Sequence, residues 1–215
     1  MKSKISILDY GLCNIYNVIR AFEYCGAEVE VIHDSTKICK ASKLVIPGVG
    51  SFKGCITEIR SQGMDYEIIR YVNMNRPFLG ICVGMQMLFD YSQEFGTNSG
   101  LGIINGCVIE IPRLTIDGKV QRIPHIGWNE LIQTETKSNW NNTVFSGLEN
   151  SQPSVYFVHS FVCHPSNHSV RLADFLYGGI RMCAAIQHNN IIATQFHPER
   201  SGHIGLDILN RFILI

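Results

Sequence analysis

The chain has 215 residues, with 18 basic and 18 acidic side chains and a formal net charge of zero. That length suits one large α/β domain with a sizeable core, and residues 1–215 read as a single domain. Balanced charge leaves no electrostatic footprint for nucleic acid or an anionic membrane surface, and no apolar run is long enough to span a bilayer.

The N-terminus, Met1-Lys2-Ser3-Lys4-Ile5-Ser6-Ile7-Leu8-Asp9, meets an acid too early for a signal peptide, so a cytoplasmic protein is expected. Eight cysteines lie at wide intervals with no C-x-x-C pair, and eight histidines show no metal-ligand spacing. Reduced thiols are expected, with no metal and no cofactor.

In chain order, Ile5 to Asp9 reads as a buried strand. Asn14 to Tyr24 carries Ile15, Val18, Ile19 and Phe22 at helical spacing and closes at Gly26. Strands follow at Glu28 to His33 and Lys43 to Ile46, then helices from Ser51 to about Ser61 and from Tyr66 to Met74. Pro77 to Ile81 is again of strand type, and Met85 to Phe89 has helix-compatible spacing. This alternation predicts a mostly parallel sheet covered on both faces, with the ligand site at the carboxyl ends of its strands. Beyond about Gly100 the grammar changes to strands and turns. Gly106 to Ile111, Trp128 to Gln133, Tyr156 to His164, Ser169 to Leu176, Cys183 to His188 and Ile191 to Phe196 are strand candidates. Asn189-Asn190 turns a hairpin between the last two, and a final helix runs from Ile204 to Phe212. The strand-rich half reads as layers added to the same sheet.

The stretch Gly80-Ile81-Cys82-Val83-Gly84 joins strand to helix through a turn of nucleophile-elbow type. A sulfur there would sit at a helix N-terminus, where backbone N–H groups favour the thiolate; the pattern alone also fits a small buried cysteine. A cysteine nucleophile needs an imidazole and a group to orient it. Gln195-Phe196-His197-Pro198-Glu199 offers both from one stiff corner at a strand end, although an ordinary solvated turn would also use Pro and Gly. Oxyanion donors are the N–H of Val83 and the glycine loop Pro47-Gly48-Val49-Gly50, where Gly50 is the candidate. That loop lacks the Lys-Ser/Thr of a phosphate-binding loop.

Three weak signals at three strand ends reinforce one another, and together they resemble the class I (triad) glutamine amidotransferases. The resemblance rests on Pro47-Gly48-Val49-Gly50-Ser51-Phe52, on Gly80 to Gln86 and on Gln195 to Glu199. More narrowly, Asp9-Tyr10-Gly11, Pro124-His125-Ile126-Gly127-Trp128-Asn129 and Tyr156-Phe157-Val158-His159-Ser160-Phe161 resemble the glutaminase subunits of imidazole glycerol phosphate synthases.

The resemblance implies a flavodoxin-like, three-layer α/β/α amidotransferase fold with added antiparallel strands. It implies Cys82 as nucleophile, His197 as acid/base and Glu199 as orienter, with L-glutamine held near Gly48, Gly50, Gln86, His159 and Ser160. The implied partner is a (β/α)8 cyclase in a heterodimer that receives the ammonia. Two departures, Cys13 for a glycine and Arg200 for a lysine, bear on the partner side. The alternatives are a paralogue feeding another synthase, such as one that amidates a sugar, a catalytically silent regulatory subunit, or a cysteine hydrolase of similar geometry.

Overall fold

The computed structural model describes residues 2–136, 139–149 and 151–215; Met1, part of the N-terminal reading above, lies outside the described residues. The first half follows the predicted βα grammar. It runs β1 (Lys4–Leu8), α1 (Ile15–Tyr24), β2 (Glu28–Ile32), a one-turn α2 (Ser35–Ile38), β3 (Leu44–Gly48), α3 (Phe52–Ser61), α4 (Met64–Asn73) and β4 (Phe78–Cys82). Local chemistry sets the ends. Gly26 takes φ +85° after α1, its N–H donating to Glu23 O while that of Ala27 donates to Phe22 O, the paired bonds of a Schellman cap. Asp34 and Ser51 cap α2 and α3 by accepting from the N–H groups of Thr36 and Gly54.

The second half departs from expectation at its start. After β4 comes a single helical turn, α5 (Val83–Gln86), and then a strand, β5 (Phe89–Ser92). The helix expected over Met85 to Phe89 is therefore cut short, because Phe89 pairs with Ile104 across a second sheet. Next come β6 (Asn98–Ser99), β7 (Ile104–Glu110), β8 (His125–Glu130), β9 (Ser154–His159) and β10 (Phe161–Pro165). The chain closes with β11 (Arg171–Tyr177), β12 (Ile180–His188), β13 (Ile191–Thr194) and α6 (Gly202–Leu214). The run Tyr156 to His164, expected as one strand, divides at Ser160.

The central sheet has the order β11-β12-β13-β4-β3-β1-β2. β13, β4, β3, β1 and β2 are mutually parallel, while β11 and β12 add antiparallel strands at one edge. This is the expected flavodoxin-like arrangement. From the β1/β3 boundary the chain steps one way to β2 and the other way to β4, so right-handed crossovers put α1 and the α3–α4 pair on opposite faces. α6 joins α1, with the Phe22 and Phe212 rings 6.2 Å apart. The expectation that all later strands add to this sheet holds only for β11, β12 and β13. A second sheet, β10-β7-β5-β6, and a ribbon, β8–β9, stand apart from it. No helix among the described residues is long and apolar enough to cross a membrane.

Candidate active site

Strand register brings the three predicted segments to one level. Gly48 lies beside Cys82 in the β3–β4 pair, and Ile81 lies beside Thr194 in the β4–β13 pair, three residues before His197. Cys82 caps α5 with φ +56° and ψ −110°, a strained conformation that a side-chain-bearing residue rarely adopts. Glycines make the turn possible by close approach. A Cβ on Gly84 would stand 2.0 Å from Ile46 O, and one on Gly80 would stand 2.8 Å from Gly84 O. A Cβ on Gly48 would meet the Gly84 N–H nitrogen at 2.8 Å and the Tyr10 hydroxyl at 2.9 Å. Gly48 thus lies beneath the elbow and is not part of the cavity wall.

The sulfur faces an imidazole. His197 is buried, and its Nδ1 lies 2.8 Å from Glu199 Oε1, itself on a buried carboxylate. A 3-10 turn over Pro198–Arg200 fixes that corner, and Ser201 Oγ donates to His197 O at 2.6 Å while accepting from Tyr156 N–H at 3.0 Å. Nε2 of the ring has no hydrogen bond of ordinary geometry. Burial pulls the His197 pKa down, but interactions with Cys82 and Glu199 outweigh it and raise the value to about 10. At neutral pH the ring keeps its proton.

A cavity of 310 Å³ opens over these groups, a size suited to a small ligand. Of the residues singled out from sequence, Gly50, Cys82, Val83, Gln86, His159, Ser160 and His197 line it. Glu199 stands behind His197. The 47–50 loop is braced by Tyr10 Oη donating to Pro47 O at 2.9 Å and by Cys55 Sγ donating to Val49 O at 3.3 Å.

His159 Nδ1 lies 2.9 Å from Phe161 O, which can only accept, so Nδ1 carries the hydrogen. Nε2 is then the acceptor for His125 Nδ1 at 3.4 Å. Burial lowers both rings, to about 3 for His159 and about 4 for His125, and keeps them neutral. Both ring nitrogens of His159 are therefore engaged within the protein.

Val49, Pro124, Val158 and Phe161, which fall within the quoted motifs but were given no individual role, also line the cavity, and so does Glu94, which no motif contained. Glu94 is the important one. It follows β5, the strand hidden in an apolar run read as helix, and its Oε2 accepts from the first N–H of α3, that of Phe52, at 2.5 Å. No local pattern marks it. The two departures also find places: Arg200 covers the Tyr156 ring at 4.5 Å, and Cys13 Sγ donates to Asp9 Oδ1 at 3.2 Å.

A cysteine sulfur that shares its proton with an imidazole, with a carboxylate behind and amide donors beside, can attack a carbonyl as the thiolate, form an acyl-enzyme and release it to water. Comparison with known proteins identifies the family. The family model described as "Glutamine amidotransferase class-I" matches residues 6–215. A Legionella pneumophila (strain Lens) protein named imidazole glycerol phosphate synthase subunit HisH 1 is 44% identical over 99% of this chain and 100% of its own length. The HisH subunit of Syntrophotalea carbinolica is 43% identical over 97% of this chain and 98% of its own. Among solved structures, PurLQS from Thermotoga maritima superposes with a TM-score of 0.73 at 18% identity, over 100% of this chain and 98% of that one. A crystal structure of a glutamine amidotransferase gives 0.70 at 16% identity, over 98% and 99%.

Proposed function

The chain belongs to the class I glutamine amidotransferase family, and on that premise we propose that it is the glutaminase subunit of an imidazole glycerol phosphate synthase, acting in histidine biosynthesis. The whole chain, residues 1–215, serves as one amidotransferase domain. The observation that carries the catalytic assignment is the convergence of a strained Cys82 with the buried His197–Glu199 pair at one cavity.

In this reading the Cys82 thiolate attacks the side-chain carboxamide of L-glutamine. A carbon–sulfur bond forms and the carbonyl electrons move to oxygen, where the N–H groups of Val83 and Gly50 receive them. Collapse of the intermediate breaks the carbon–nitrogen bond, and the His197 imidazolium gives its proton to the departing nitrogen, releasing ammonia. His197, now neutral, takes a proton from water as that water attacks the thioester; glutamate leaves and the thiolate returns. Glu199 orients the ring throughout. Gln86, Ser160 and the wall around His159 shape the site, and the Glu94 carboxylate pairs with the substrate's α-ammonium group. Replacing Glu94 by Gln is expected to raise KM for glutamine about tenfold, the scale of one charge-assisted hydrogen bond, with a smaller effect on kcat. Steady-state glutaminase assays measure both.

Ammonia set free in neutral water becomes ammonium, which is no nucleophile, so the product has to pass directly to a docked synthase. The proposed partner is a (β/α)8 cyclase, in a cytoplasmic heterodimer that channels ammonia between subunits. The purified chain alone is expected to hydrolyse glutamine slowly, and adding the cyclase with its own substrate bound should raise the rate at least about tenfold, the scale of a modest allosteric coupling. Full turnover without any partner, or stimulation only by a sugar-amidating synthase, would overturn the assignment of the cyclase.

A further inference from the structure

The elbow's helix is too short to carry much of a dipole. α5 has four residues, whereas the stabilisation of an anion at a helix N-terminus comes from several aligned peptides. The sulfur has to find its stabilising donors among side chains. His197 is one. Gln195 is the other polar side chain that reaches it, with Nε2 3.7 Å from Cys82 Sγ, and Gln195 is fully buried two residues before His197.

The neighbours fix which end of this amide faces the sulfur. Gln86 places one terminal atom 3.2 Å from Phe161 O and 3.1 Å from Gln195. A backbone carbonyl only accepts, so that atom of Gln86 is its NH2 group; the atom of Gln195 that meets it is then the oxygen. The Gln195 NH2 is thereby turned to Cys82. Of the other ionisable groups about the sulfur, Glu94 brings a carboxylate to the same cavity wall and His159, lowered by burial, is neutral. Burial raises the pKa values of Tyr10 from the β1 side, Cys55 on α3 and Cys163 on β10, and leaves each protonated. The cation nearby is His197, with Glu199 behind it, and the neutral donor is Gln195.

We propose that Gln195 is a further catalytic residue, whose side-chain N–H donates to the Cys82 thiolate and is held in that direction by Gln86 and the Phe161 carbonyl. Hydrogen bonding to the charged form of an acid favours that form. The donor supports the resting thiolate, gives it up as the carbon–sulfur bond forms, and receives it again when water breaks the thioester. Stabilising the departing thiolate speeds that second step. Gln86 is then a positioning residue for Gln195 as well as part of the cavity wall. This inference rests on the reading of Cys82 as nucleophile.

The test reads the thiolate directly. Gln195→Met keeps the shape and removes the donor; Gln86→Met keeps Gln195 and removes the group that aims it. In the full chain, iodoacetamide alkylation of Cys82 is followed by mass spectrometry of its peptide from pH 5 to pH 10. Gln195→Met is expected to slow alkylation about tenfold at pH 6, with near-native rates at pH 10 where solvent alone ionises the thiol. The acid limb of kcat/KM for glutamine should move to higher pH in parallel. Gln86→Met should shift both in the same direction by less. Native alkylation profiles in both variants would overturn the proposal. Alkylation needs no glutamine, so slowed alkylation in the two variants, found together with a wild-type chain that does not hydrolyse glutamine, would sink the glutaminase reading and leave this inference standing.

Discussion

Replacing Cys82 by alanine is expected to abolish glutamine hydrolysis, with kcat falling by at least about 10⁴, the scale on which covalent enzymes lose rate with their nucleophile. No other thiol can take over. Cys55 and Cys163 are buried, protonated and absent from the cavity wall, and a water molecule lacks both the nucleophilicity of sulfur and a second base to activate it. Serine at the same place should be nearly as poor, since its hydroxyl is far harder to ionise than a thiol. The fold should survive, because alanine keeps the Cβ that the elbow already accommodates. Circular dichroism and thermal unfolding check that point, and a glutaminase assay by coupled glutamate detection checks the first. Activity persisting in a folded Cys82→Ala protein would remove the triad from consideration.

The second large effect is expected from Gly84→Ala, a change of one methyl group outside the triad. Its Cβ would be 2.0 Å from the Ile46 carbonyl oxygen. That oxygen cannot retreat, since Ile46 pairs with Gly80 in the middle of the parallel sheet. Either β3 parts from β4 or the elbow lifts, and both move Cys82 away from His197. A loss of about 3 kcal/mol is expected for such backbone overpacking, lowering Tm by about 6–12 °C for a chain of this size. Glutaminase activity should fall at least about a hundredfold, the cost of misplacing a reacting group by about an ångström. Gly50→Ala is the control. A Cβ there meets nothing within 4 Å, although φ is +90°, so only the backbone preference is violated, at about 1 kcal/mol. Differential scanning calorimetry on both variants separates collision from conformational strain.

The parts of this architecture that were legible in the sequence are those written in local periodicity. β1 through β4 and the helices α1, α3 and α4 show strand and helix spacing cleanly, with Gly26 closing the first and Ser51 opening the second, whereas the single turn of α2 behind Asp34 is too short to show a period. Cys82, His197 and Glu199 could be singled out because their segments follow the expected strands Pro77 to Ile81 and Ile191 to Phe196, and the family resemblance joins them. What failed is what depends on pairing across the chain. Phe89 belongs to a strand because Ile104 lies beside it, and nothing in an apolar run announces a partner fifteen residues away. Tyr156 to His164 is continuous in sequence, yet its two halves pair with different strands, β8 and β7. Glu94 reaches the cavity only because β5 exists. Gln195 was visible as a motif residue, but the direction of its amide is set by Gln86 and Phe161, residues brought close by folding.

Cys82 ends β4 and His197 follows the adjacent parallel strand β13, yet more than a hundred residues of chain run between them. That stretch builds an entire second sheet, the β8–β9 ribbon and the edge hairpin before β13 can be laid down. In biosynthesis the thiol is therefore made long before its imidazole. On the proposed assignment, a nascent chain, or one truncated ahead of residue 197, carries Cys82 with no base to activate it and should hydrolyse no glutamine. The order of the strands would then act as a safeguard in time: under the proposed mechanism, hydrolysis begins only in molecules translated far enough to complete the fold.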